Sequence, residues 1–177
     1  MRIVYYVAAS LDGRISGPDH DLAFLETLST DAGDHGYADF FAEIDGLVMG
    51  ASTYEFMTRH SWPYGDRPTW LVTHRDDLPD IEGANLRRFA GDVRELAREL
   101  EDAGLKRVWL IGGGNLAAQF LAADRLDELI LTLAPTFVGS GPALADGELP
   151  RRRFRLVSVG RAEDTDGVSL CFERVSG

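Results

Sequence analysis

A single cysteine, Cys171, leaves this chain without the means for an intrachain disulfide or a cysteine-based metal site. It falls in Val168-Ser169-Leu170-Cys171-Phe172, where a buried strand thiol is expected. The four histidines, His20, His35, His60 and His74, contain no H-x-x-x-H pair, and no metal site is predicted. Basic charge is also short: 18 Lys and Arg against 29 Asp and Glu give a net charge of −11. Phosphate neutralisation along a nucleic acid needs a basic face, so no nucleic-acid partner is expected. The one dense basic cluster, Arg151-Arg152-Arg153 with Arg155, reads as a solvated loop beside a proline. No apolar run approaches the ~18 residues of a membrane-spanning helix. The start, Ile3-Val4-Tyr5-Tyr6-Val7, is too short and wrongly flanked for a signal peptide, and a cytoplasmic location is expected. Neither G-x-G-x-x-G nor G-x-x-x-x-G-K-[ST] occurs, which removes the simplest nucleotide fingerprints.

What is present is the composition of a globular protein, 45% hydrophobic and 27% charged over 177 residues. Without a linker, repeat or low-complexity segment, residues 1–177 read as one domain. The periodicity predicts strands at 3–9, 46–50, 68–73, 106–111 and 129–133. Between them, Leu22, Leu25 and Leu28 recur at helical spacing, and a second helix is predicted over 37–44. A third follows Gly50, with Ser52 or Thr53 as its N-cap. Val93, Leu96, Ala97 and Leu100 mark an amphipathic helix ended by Gly104, and another helix follows Gly114. Short strands alternating with helical crossovers predict a mainly parallel sheet covered on both faces. The tail differs: strand patterns at 154–160 and 168–175 flank Asp166-Gly167, a hairpin signal. The prediction is an α/β three-layer sandwich with a mainly parallel central sheet and a C-terminal antiparallel hairpin.

Ligands of open α/β sheets bind beyond the strand C-termini, where four loops stand out. They are Ala8-Ala9-Ser10-Leu11-Asp12-Gly13-Arg14-Ile15-Ser16-Gly17, Met49-Gly50-Ala51-Ser52-Thr53, Thr73-His74-Arg75, and Gly112-Gly113-Gly114-Asn115-Leu116. A strand that ends in glycines at a helix start exposes backbone N–H groups with no Cβ in the way. Taken singly, each loop reads as structural, a tight turn before it reads as a binding loop. Taken together, they point to an extended phosphate-bearing ligand. Trp62-Pro63-Tyr64 reads either as an apolar wall over a flat substrate ring or as a loop anchor.

The ordered set resembles the dihydrofolate reductase-like family, in particular the branch containing the C-terminal reductase domain of bacterial riboflavin biosynthesis proteins. Val7-Ala8-Ala9-Ser10-Leu11-Asp12-Gly13-Arg14-Ile15 is similar to that branch's opening strand and S-x-D-G loop. Met49-Gly50-Ala51-Ser52-Thr53-Tyr54-Glu55 is similar to M-G-R-x-T-Y/W-E, and Ile111-Gly112-Gly113-Gly114 to I-G-G-G. Asp127-Glu128-Leu129 through Pro135 to Val138-Gly139-Ser140-Gly141 resembles the strand and G-x-G loop.

The resemblance implies NADPH-dependent hydride transfer to a small C=N or C=O compound, pterin- or pyrimidine-like in shape, by a homodimer. Ala9, Ile15 and Ser16 match positions around the nicotinamide. Gly50, Ala51, Ser52 and Thr53 match one pyrophosphate-binding segment, and Gly112, Gly113, Gly114, Asn115 and Leu116 the other. Thr73, His74 and Arg75 match the turn that holds the adenosine 2′-phosphate. Thr132 matches a substrate-facing strand position, with Phe41 a second substrate contact. Ala51 stands where many relatives carry arginine, which leaves Arg75 as the phosphate's cationic partner. For the proton donor the resemblance offers Asp34, ahead of Tyr37-Ala38-Asp39-Phe40-Phe41, or Asp12. Authentic dihydrofolate reduction is an alternative, though Gly17-Pro18-Asp19-His20 replaces a Met-Pro-Trp loop. A nucleotide sensor without turnover is the other.

Overall fold

The computed structural model describes residues 1–28, 36–161 and 166–175. Eight strands form one sheet: β1 (Arg2–Ser10), β2 (Gly46–Gly50), β3 (Thr69–Val72), β4 (Leu86–Phe89), β5 (Arg107–Gly112), β6 (Glu128–Ala134), β7 (Phe154–Arg161) and β8 (Val168–Arg174). The order across the sheet is β4-β3-β2-β5-β1-β6-β8-β7. Every pairing from β4 to β6 is parallel, whereas β6–β8 and β7–β8 are antiparallel. The helices are α1 (Tyr37–Ala42), α2 (Ala51–Met57), α3 (Val93–Asp102) and α4 (Gly114–Ala122).

Two apolar cores lie on opposite faces of the sheet. One joins Ile3, Tyr5, Val48, Val108 and Leu110 to Val93, Leu96 and Leu100 of α3 and to Leu116 and Phe120 of α4. The other joins Leu47, Met49, Leu71 and Trp109 to Tyr54 of α2 and to Tyr64, with Tyr37, Phe40 and Phe41 of α1 against it. Strand side chains alternate between faces, and these strands are apolar on both, as a sheet covered by helices on each side requires. The predicted three-layer sandwich with its C-terminal hairpin is the fold observed.

Three local features differ from the sequence reading. Leu86-Arg87-Arg88-Phe89 forms edge strand β4, pairing in parallel with β3, although two arginines conceal its strand character. Arg87 covers the Trp70 ring at 4.7 Å, so its stem and charge cap an apolar surface. Residues Ala23–Leu28 form a 3-10 helix; the i, i+3 spacing of Leu22, Leu25 and Leu28 suits three residues per turn. Finally, Gly50, with φ −86° and ψ 169°, is the N-cap of α2, so Ser52 and Thr53 lie inside the helix.

Trp62 and Tyr64 anchor a loop. Tyr64 is buried edge-on against Trp109 at 5.6 Å, and Trp62 Nε1 donates to the Gly65 carbonyl at 2.9 Å.

Candidate functional site

The parallel strands bring their C-terminal ends to one edge, where a cleft of about 710 Å³ opens. That is within the size range of small-molecule and cofactor sites. Its walls come from the end of β1 (Tyr6, Val7, Ala8), the β2–α2 junction (Gly50–Thr53), the end of β3 (Val72, Thr73, His74) and the β5–α4 junction (Ile111–Leu116). Ile15 and Ser16 close one end together with His20, Leu22 and Leu25.

The two glycine junctions abut. A Cβ placed on Gly50 would meet the Gly112 carbonyl and the Gly113 nitrogen, each at 3.7 Å. Gly112 has φ +143°, which excludes other residues in practice, and a Cβ there would face Thr53 Oγ1 at 3.5 Å. The Gly112–Gly113 peptide bond is cis. Gly114 has a different duty: a Cβ there would overlap the Ala143 carbonyl oxygen, and Gly114 O accepts from Asp146 N at 3.0 Å.

Loop 136–146 in turn grips the loop after β1. Ile15 N donates to Pro142 O at 3.0 Å, Leu144 N to Gly13 O at 2.9 Å, and Arg14 Nη1 to Gly141 O at 2.9 Å. The wall from Ile15 to Leu116 is therefore one continuous backbone-bonded surface.

Asp12 belongs to this stitching. Ser10 Oγ donates to its carboxylate at 2.6 Å, and the amides of Val138 and Gly139 donate at 3.0 and 2.8 Å. The Ser10 hydroxyl first, then these amides, hold its pKa down at about 2. Asp12 does not line the cleft. A carboxylate so held is an acceptor between loops, apart from the cleft to which a proton would have to be delivered. Asp34, the other candidate, lies outside the described residues.

Of the cofactor positions anticipated from sequence, Ile15, Ser16, Gly50, Ala51, Ser52, Thr53, Thr73, His74, Gly112, Gly113, Gly114, Asn115 and Leu116 line the cleft. Ala9 and Arg75 do not. Ala9 is fully buried, whereas Val7 and Ala8 before it line the cleft. The Arg75 guanidinium is held by Asp77 and Glu55.

Neither anticipated substrate contact reaches the cleft. Thr132 pairs with the cleft-lining Ala8 in the β1–β6 register but lies one strand further out and is not part of the wall. Phe41 stacks on Tyr37 at 5.6 Å with the Arg67 guanidinium 3.9 Å above its ring, in the aromatic cluster around Trp109. Sequence reasoning missed Tyr6, Phe56, Met57, Gln119 and Asp146 as lining residues. Phe56 and Met57 fall one helical turn after Ser52 and Thr53, a spacing that points them to the same side.

The lining supplies hydroxyls, amides, the imidazoles of His20 and His74, the Asp146 carboxylate and backbone N–H groups with apolar walls; among the described residues no arginine or lysine contributes. The glycine cradle fits the diphosphate of a dinucleotide, which backbone N–H groups at a strand–helix junction bind without lysine.

The architecture is the dihydrofolate reductase-like fold. Dihydrofolate reductase from Enterococcus faecalis, complexed with NADP(H) and RAB-propyl, superposes with a TM-score of 0.61 at 17% identity, covering 99% of this chain and 97% of that one. A Shewanella sp. PV-4 protein assigned to riboflavin biosynthesis superposes at 0.86 and 24% identity, covering 99% and 100%. An uncharacterized protein of Bacillus subtilis (strain 168), YwjB, is 31% identical over 142 residues, 79% of this chain and 80% of its own. The RibD C-terminal domain family matches residues 58–165, and the chain belongs to that family, the riboflavin-type reductase branch of the fold.

Proposed function

We propose that this protein is an oxidoreductase that binds NADPH along the sheet edge and transfers a hydride to a C=N or C=O group of a small pterin- or pyrimidine-like compound. The observation that carries this reading is the continuous cleft spanning two abutting glycine junctions. The likeness to a reductase solved with NADP(H), and to a protein assigned to riboflavin biosynthesis, supports it.

In this reading the backbone groups at 50–53 and 112–116 hold the diphosphate, and Ile15 and Ser16 flank the nicotinamide. When bound, the reduced nicotinamide supplies the hydride; the chain orients the two reactants and excludes water. Phe56, Met57, Leu22 and Leu25 form apolar wall suited to a flat ring. Asp34 or a water delivers the proton. We assign the protein to the cytoplasm; no helix among the described residues is long and apolar enough to cross a membrane. A homodimer is supported by the exposed Leu156, Val157 and Val159 of β7, the sheet's edge strand.

The test is consumption of NADPH with ribosylaminopyrimidine, dihydrofolate and simple carbonyl compounds. Turnover of the pyrimidine or a carbonyl supports the reading. Turnover confined to dihydrofolate assigns the alternative reductase activity, and NADPH binding without turnover of any compound assigns a sensor.

A further inference from the structure

Arg75 carries the fixed positive charge that the resemblance reserves for a 2′-phosphate, yet three of its five N–H groups are already engaged. Nε donates to Asp77 Oδ1 at 2.9 Å and Nη2 to Asp77 Oδ2 at 2.8 Å. Nη1 donates to Glu55 Oε2 at 3.0 Å. The edge that Asp77 occupies, Nε with Nη2, is the fork with which arginine grips a phosphate in two parallel hydrogen bonds. Asp77 therefore stands where two phosphate oxygens would stand. The Arg75 guanidinium faces two carboxylates, with Asp76 exposed alongside, and Arg88, paired to Asp80, also acts on Asp77. A phosphate dianion arriving at that edge must displace Asp77 and then remain beside Glu55, and one using the remaining Nη hydrogens stands beside both carboxylates. A ribose with a free 2′-hydroxyl displaces nothing. Ala51 contributes no second fixed cation, and among the described residues the basic side chains lining the cleft are His20 and His74, with no arginine or lysine.

We infer that Asp77 and Glu55 are specificity-determining residues that cancel the charge of Arg75, so that this protein accepts the cofactor without a 2′-phosphate, NADH, nearly as well as NADPH. The inference rests on the proposed dinucleotide site and deepens it. All three side chains are substantially exposed, so their substitution leaves the cores intact.

The test is equilibrium binding, by calorimetry, of NADPH and NADH to the wild type, Asp77→Ala, Glu55→Gln and the double variant. Binding of 2′,5′-ADP and 5′-AMP to the same proteins isolates the adenosine end. The wild type should favour NADPH by less than about tenfold, since a charge-assisted pair gained at the phosphate replaces one lost to Asp77. Asp77→Ala should tighten NADPH and 2′,5′-ADP about tenfold, and the double variant further, with NADH and 5′-AMP within about twofold of wild type. Adding Arg75→Ala to the double variant should abolish the gain.

A wild-type preference for NADPH beyond about hundredfold, or equal changes for both dinucleotides in Asp77→Ala, would overturn the inference while leaving the dinucleotide site standing. Failure of the wild type to bind either dinucleotide would overturn the site itself, and the inference with it.

Discussion

At Asp12 one hydroxyl and two backbone amides converge on a single carboxylate and turn an apparent acid into a clamp between loops. Its pKa is depressed in the folded protein, so its contribution to stability is present above the ordinary aspartate range and is lost as pH falls from about 4 to about 2. Asp12→Asn should therefore lower the melting temperature at neutral pH, with the difference from wild type vanishing toward pH 2 in thermal melts. The glycines separate in the same way. Gly114→Ala drives a methyl into the Ala143 carbonyl and should destabilise by about 1–3 kcal/mol in urea unfolding. Gly50→Ala meets its neighbours only at ordinary contact distance, at a φ of −86°. It should fold normally and bind NADPH more weakly, because the added methyl joins the cleft wall.

Among the elements, α3 shows how a helix written clearly in sequence is built. Val93, Leu96, Ala97 and Leu100 form one buried face, and the Asp92 carboxylate accepts from Arg94 N at 2.7 Å as N-cap. Leu96→Ala should cost about 3 kcal/mol by cavity formation and Asp92→Ala about 1 kcal/mol by loss of the cap, both measured by urea unfolding. The same periodicity made the parallel strands and hairpin legible, because burial on both faces leaves continuous apolar runs. Strand β4 was hidden, since an edge strand can carry Arg87 and Arg88 without exposing its pattern. At the site, the glycine junctions were legible because backbone approach demands glycine. The engagement of Arg75 was not. Its partner Asp77 is two residues away, but Glu55 comes from α2, and only the fold brings that carboxylate within 3.0 Å. Phe41 was misplaced because an aromatic side chain suits a packed cluster as well as a ligand wall.

For the whole molecule, the strand order matters most. Placing β5 between β2 and β1 sets the two glycine junctions side by side and puts the loop after β1 at the far end of the same edge. An acidic protein can in this way hold an anionic ligand through backbone groups despite a net charge of −11. The opposite end of the sheet, hairpin β7–β8, exposes Leu156, Val157, Val159 and Val168. Val159→Glu should shift any dimer toward monomer in sedimentation without altering NADPH affinity, because β7 lies at the far edge of the sheet, separated from the cleft-forming strands by β8 and β6. The central claim, that the edge cleft is a dinucleotide site, is tested most directly by a crystal structure of the NADPH complex. The diphosphate is expected between residues 50–53 and 112–116, with the nicotinamide beside Ile15 and Ser16. A dinucleotide bound away from these glycines would contradict it.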